Sequence, residues 1–298
     1  MCVAVASCEK PIVEDIAPGQ EGQKSQVVIT IADIESGWAS STRAQVSVAD
    51  VCSRVQFAIY QNGTRVEAKN QAAGDDGFGT LTLQLDAGDY QLLVLAHSSK
   101  ANITTTSPAK LAFTNPGSSN GTGYSDTFYY YGTMSVTDGE TRVSIDMKRA
   151  TSMFRLVTTD VKPAEVKRLQ FYYEGGSGAL DATTGFGCVK SKQSVFVDLD
   201  DSQTGKPLQI DMYTFLHAET GSVDFTVKAF NATDDIIYSH EFSSVSMQRN
   251  CITRYTGLFF VSDQPDQPDQ PDDPEPDTPS PLVVTVDPDW ASTFDYTF

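Results

Sequence analysis

The chain reads as all-β, built from two antiparallel β-sandwich domains in tandem, and three observations predict this. Apolar and polar residues alternate with a period of two through almost every stretch of the body. Turn residues break these stretches at short intervals: Asn62-Gly63, Ala87-Gly88-Asp89, Gly175-Gly176, Gly205-Lys206-Pro207 and Asp234-Asp235. A length of 298 residues suggests about two domains.

The first set of strands opens with Val27–Ala32, where apolar side chains sit on both faces. In Val55–Tyr60 the residues Val55, Phe57 and Ile59 share one face, and Asn62-Gly63 then supplies a hairpin turn. Leu81, Leu83 and Leu85 alternate with Thr80, Thr82 and Gln84, and the turn at 87–89 leads into Tyr90–Ala96. Thr127–Val136 and Val143–Met147 complete the set. The second set reads Phe154–Thr158, Arg168–Tyr173, Ser194–Leu199, Leu208–Leu216, Val223–Phe230, Ile236–Tyr238 and Ile252–Val261. Short strands at such spacing suit antiparallel sandwiches. Only Ala49–Ser53 and Val161–Lys167 hint at a helical turn. Residues 98–126 read as a long polar loop. The boundary near Lys148–Thr151 divides the body into domains over 25–149 and 150–262.

The end of the chain differs. Asp263-Gln264-Pro265 repeats as Asp266-Gln267-Pro268 and Asp269-Gln270-Pro271, and prolines continue to Pro281. Proline fixes φ and removes donors, so residues 263–281 form an extended linker, reaching on the order of 60 Å at roughly 3 Å per residue. Residues 282–298 then return to β character. Leu282, Val284 and Val286 alternate, as do Phe294, Tyr296 and Phe298. A β-prone segment on a long spacer either pairs with a sheet edge of another molecule, as a donor strand, or folds back onto its own domain.

Net charge is −18, but residues 263–298 hold ten acids and no Lys or Arg, which leaves about −8 for the body. That surface argues against a nucleic-acid partner, since phosphate binding needs clustered Lys and Arg. Near the start, Val5-Ala6-Ser7-Cys8 resembles a bacterial lipobox, in which small residues precede a cysteine that becomes acylated. The apolar stretch before it is short for a signal peptide, so a late-assigned start or a truncated leader is expected. Residues 1–24 then comprise leader, lipobox and polar tether. Cys52, Cys188 and Cys251 would remain. Either Cys188 bridges Cys251 or all three are buried free thiols.

No catalytic constellation emerges, so an enzyme is not expected, nor a cofactor, nor a metal. Gly175-Gly176-Ser177-Gly178-Ala179 lacks the final glycine of a nucleophile elbow and reads as a hairpin turn. His97, His217 and His240 are far apart and read as strand-end residues. Asp198, Asp200 and Asp201 lack the calcium-loop pattern. The run Phe128-Tyr129-Tyr130-Tyr131 offers aromatic surface, but alternation along a strand would bury half of it.

As a whole the pattern resembles the fimbrillin-associated anchor family, the lipid-anchored subunits of the Bacteroidales type V pilus. The stretches that carry the resemblance are Ser53–Tyr60, Leu85–Tyr90, Met147-Lys148-Arg149-Ala150, Arg249-Asn250 and Thr256-Gly257-Leu258-Phe259. The resemblance implies two transthyretin-like sandwiches, export to the outer membrane as a surface lipoprotein, other fimbrial subunits as partners and assembly by strand exchange. In related stalk subunits it also implies arginine-specific removal of the first strand. Arg43-Ala44, after Val27–Ala32, is the matching place here. A non-polymerising surface lipoprotein that binds glycan or host protein is the alternative.

Overall fold

A computed structural model describes residues 24–35, 46–114, 124–261, 284–285 and 290–298. Its first half holds β1 (Ser25–Ile34), β2 (Arg54–Gln61), β3 (Thr64–Ala72), β4 (Thr80–Leu85), β5 (Gly88–His97), β6 (Asn102–Thr104), β7 (Leu111–Thr114), β8 (Thr127–Val136) and β9 (Glu140–Arg149). The second half holds β10 (Ser152–Thr158), β11 (Arg168–Glu174), β12 (Ala179–Asp181), β13 (Phe186–Gly187), β14 (Gln193–Asp198), β15 (Gln209–Thr214), β16 (Thr220–Phe230), β17 (Ile236–Gln248) and β18 (Cys251–Gly257). The tail adds β19 (Val284–Thr285) and β20 (Ser292–Thr297).

The all-β class is therefore what the chain adopts. In the first half a seven-stranded sheet runs β3-β2-β5-β8-β9-β1-β4. It folds over at β8–β9, which pair only at Phe128↔Arg149 and Tyr129↔Lys148. Val27 and Ile29 of β1, Phe57 and Ile59 of β2, and Leu92 and Val94 of β5 fill the space between the two arms. Side chains alternate across a strand, so a period of two places every second residue in that space.

In the second half a sheet of order β15-β10-β18-β20-β19 faces one of order β14-β11-β16-β17. Phe154, Phe171, Phe225, Phe242 and Tyr255 pack between them, with Phe154 stacked on Phe225 at 4.2 Å. Pairing is antiparallel except for β1–β9, β10–β18 and β18–β20, which are parallel. Alternation specifies a face but not a direction, so parallel pairs were not legible.

The halves repeat each other. β1, β2, β3, β4, β5, β8 and β9 pair among themselves as β10, β11, β14, β15, β16, β17 and β18 do, with the same direction at each pairing. Each half also carries an inserted hairpin, β6–β7 in one and β12–β13 in the other. The insertions join through β7–β12 into a four-stranded sheet that spans both halves. Residues 98–126 are thus not only a loop. Leu111 and Phe113 are buried with Leu180 and Phe215 in a core shared by the halves.

Of the two helical turns expected, one is present and one is corrected. The helical turn expected at Ala49–Ser53 is a short helix, α1 (Val48–Val51), capped by the Ser47 hydroxyl. Val161–Lys167 forms no helix. Pro163 lies within it, and the Lys162 N–H donates to the Lys206 carbonyl, which ties the segment to its neighbour instead.

Candidate functional site

The segment that sequence reasoning singled out, the tail, lies against the second half of its own chain. β20 runs parallel to β18 from Cys251↔Ser292 to Thr256↔Thr297. β19 pairs antiparallel with β20 at Val284↔Phe294 and Thr285↔Thr293. Of the expected donor residues, Tyr296 stacks on Tyr255 at 4.9 Å and Phe298 meets Phe242 edge-on at 4.9 Å. Phe294 is half-buried opposite Thr253. Their alternation puts all three on the face directed at the core. On the other face Asp295 meets Arg254 at 3.1 Å.

Gly257 is required at the end of this dock. A Cβ there would lie 2.1 Å from the Phe298 carbonyl oxygen. Any side chain would push the strand off its edge.

Just before β20, Trp290 closes the joint between the halves. Its indole is 4% exposed and packs with Met153 and Ile252. The guanidinium of Arg149 lies 3.9 Å from its ring centroid. Arg149 is 2% exposed. It donates from Nε and Nη2 to the Asp126 carboxylate at 2.9 and 3.0 Å, and from Nη1 to Asn250 Oδ1 at 2.5 Å. The Thr151 hydroxyl donates to the same Asp126 at 3.0 Å. Arg249 Nη1 donates to the Arg149 carbonyl at 2.7 Å, and the Ala291 N–H donates to the Asn250 carbonyl. One cluster therefore gathers the end of β9, the β17–β18 turn and the tail.

A buried guanidinium costs several kcal/mol to desolvate, and bidentate pairing with stacking offsets that cost. Burial alone would lower the Arg249 pKa, but its bond to Glu219 and the charges of Glu35 and Glu219 leave it raised. Burial, with the Asp126 charge, pushes the nearby Cys52 thiol up to about 12. That sulfur is therefore a core atom and not a nucleophile.

The remaining candidates separate. Cys8, Arg43, Ala44, Leu282 and Val286 lie outside the described residues, and Val284 is placed by its backbone alone. Cys52, Cys188 and Cys251 are free thiols, the first and last buried and Cys188 exposed. Neither expectation for them holds in full. Phe128 and Tyr130 join the first core, and Tyr129 and Tyr131 join the shared one, so the aromatic run is packing on both faces. Asp200 caps a 3-10 turn at Asp201–Gln203, and Asp201 pairs with Lys167 at 2.7 Å. Nδ1 of His217 bonds the Gly187 carbonyl, and Nε2 of His240 bonds that of Phe259.

Arg149 and Arg249-Asn250 entered the sequence reading only as stretches of resemblance, yet they form the heart of the cluster. Trp290 and Asp126 were missed. One of two tryptophans in the chain, four residues before the alternating run Phe294, Tyr296 and Phe298, was the available signal.

A family model matches residues 18–292, described as a family of unknown function, DUF6562. The chain belongs to that family. No curated protein matches. Among solved structures the chain is similar to a "putative adhesin" of Bacteroides ovatus, at 12% identity and TM-score 0.49, over 81% of this chain and 88% of that one. It is also similar to the fimbrial anchor protein Mfa2 of Porphyromonas gingivalis, at 11% identity and TM-score 0.45, over 74% and 83%. A fimbrial assembly protein of Parabacteroides distasonis matches at 14% identity and TM-score 0.34, over 79% and 90%. At such values these likenesses carry no function across to the family member described here.

Proposed function

We propose that this chain is a cell-surface fimbrial subunit of the outer membrane, lipid-anchored at Cys8, in an anchor or accessory position, and assembled by β-strand exchange. One observation supports this most. The C-terminal strand is a discrete segment, joined to the body by the Asp/Gln/Pro spacer and held at a sheet edge by backbone pairing and the rings of Tyr296 and Phe298. Such a strand can leave one edge and occupy an equivalent one, at the cost of uncovering Tyr255 and Phe242 beneath it. Order and spacing of the sequence motifs supply the rest of the reading, and they point to a binding and assembly role with no chemistry.

The test is co-assembly in cells. With Phe294, Tyr296 and Phe298 all changed to Ser, the protein should still reach the membrane but no longer copurify with fimbrial subunits. An unchanged fimbrial complex would remove strand exchange. Cys8→Ala should move the protein to a soluble fraction, since acyl chains supply about 0.8 kcal/mol per buried methylene. N-terminal sequencing of cell-derived protein separates the positions. A start at Cys8 means an intact anchor, and a start at Ala44 means a polymerising subunit.

A second reading, a non-polymerising lipoprotein that binds glycan or host protein, is favoured by a cleft of about 420 Å³ beside the Gly175-Gly176 turn. Glu174, Lys190, Ser191, Lys192 and His217 line it, with Lys192 paired to Glu174 at 2.6 Å, a polar wall suited to hydrogen bonding a ligand. Surface binding that survives the triple serine change would favour that reading.

A further inference from the structure

The internal repeat leaves one position unequal. In the second half, β18 lies between β10 and β20. In the first half, the matching strand β9 pairs with β1 along its length but with β8 at only two residues. Along Glu140–Met147 its outer edge meets no strand among the described residues. Unpaired edges of this kind are templates for strand addition.

The local sequence repeats as well. Thr253-Arg254-Tyr255 on β18 matches Thr141-Arg142-Val143 on β9. Tyr255 packs in one core and Val143 against the other, while each arginine points away. In β18 the arginine meets Asp295 of the docked strand at 3.1 Å, and the Thr253 hydroxyl donates to the Ser246 carbonyl at 2.9 Å. In β9 the side chain of Arg142 is 72% exposed and, among the described residues, pairs with Glu140, two residues before it. The Thr141 hydroxyl is buried without a hydrogen-bond partner among the described residues.

We infer that the outer edge of β9 receives an extended strand from a neighbouring subunit, with aromatic residues alternating about one carboxylate, as in Phe294-Asp295-Tyr296. The inference rests on the strand-exchange reading and supplies its receiving site. The strand pairs parallel to β9, with its carboxylate at Arg142 and its aromatic residues directed at Thr141 and Val143. β1 stays in place. Occupancy follows from a precedent inside the molecule, because a strand of this chemistry already sits on the equivalent edge of the second half. The charges also agree, since Arg142 stands where Arg254 stands. The chain's own tail is held on β18 by Trp290 and six residue pairs, so the free edge makes this subunit an acceptor through its first half.

The test uses the full chain, in which β18 is already covered, and a peptide of residues 289–298 carrying a photo-crosslinker in place of Tyr296. The peptide should crosslink to β9 around Val143. Arg142→Glu should weaken its binding roughly fivefold, as expected for a cross-strand charge pair, and an Asp295→Lys peptide should recover it. Arg142 is exposed, so the variant folds. Crosslinking to β18 by displacement of the native tail, or no binding at millimolar peptide, overturns the inference. If the peptide fails while the triple serine change still abolishes co-assembly, strand exchange stands and the receiving edge lies elsewhere. If the peptide binds β9 but that change has no effect in cells, the edge is real and the donor role of this chain's tail fails.

Discussion

His97 ends β5 fully buried, its ring edge-on to Phe113 at 6.4 Å. Burial, helped by the charge of Arg54, lowers its pKa from 6.5 to about 4. The unfolded chain therefore binds a proton below pH 6.5 that the native state refuses, and native stability falls as pH drops from 6.5 towards 4. At 1.36 kcal/mol per unit, the loss approaches about 3 kcal/mol. In denaturant titrations at pH 7 and pH 4.5, His97→Leu should lack this part of the pH dependence. An equal slope in both proteins would show that His97 is not its source. Arg149 poses the complementary case, a charge kept buried by its partners. Arg149→Met leaves the Asp126 carboxylate without its cation and Asn250 Oδ1 without its guanidinium donor, at a cost of about 3 kcal/mol or more. Trp290→Ala removes the stacked indole but leaves the ion pair. It should loosen the tail by about 3 kcal/mol, near the low end for a buried Trp. Faster amide exchange along β18, without faster exchange in β2 and β5, would report that.

At the scale of elements, the tail behaves as part of the second sandwich. Read from sequence alone, residues 282–298 could pair with another molecule or fold back onto their own domain. Their removal strips cover from Ile252, Met153, Tyr255 and Phe242. The truncated chain should remain folded in its first half, melt several degrees lower in its second and bind a hydrophobic dye. An unchanged melting profile would mean that β20 contributes little in cis. The spacer explains how sequence could mislead here. Proline repeats mark where regular structure stops, but they do not mark where the chain beyond them docks.

At the scale of the molecule, the two sandwiches are bound by a shared core and a shared sheet. Leu111 and Phe113 from one insertion meet Leu180 from the other and Phe215, with rings of Phe113 and Phe215 5.0 Å apart. The intact chain should therefore unfold in one main calorimetric transition. Phe215→Ala, which costs about 3–5 kcal/mol at a buried site, should split it into two. A single transition in that variant would show that the β7–β12 pairing and the Arg149 cluster suffice to couple the halves. The duplication itself gave no sequence signal beyond a short match such as Thr-Arg followed by an apolar residue. Strand pairing tolerates almost any side chains that keep the alternation.

By itself the sequence determined the class, most strands and the aromatic face of the tail. All of these follow from local rules: a period of two, turn chemistry and proline. Tertiary structure alone decided which edge the tail takes, the parallel pairings, the union of the two insertions and the meeting of Arg149, Asn250 and Trp290. Those depend on contacts between residues as far apart as Arg149 and Trp290, and local alternation carries no information about which buried faces will find one another.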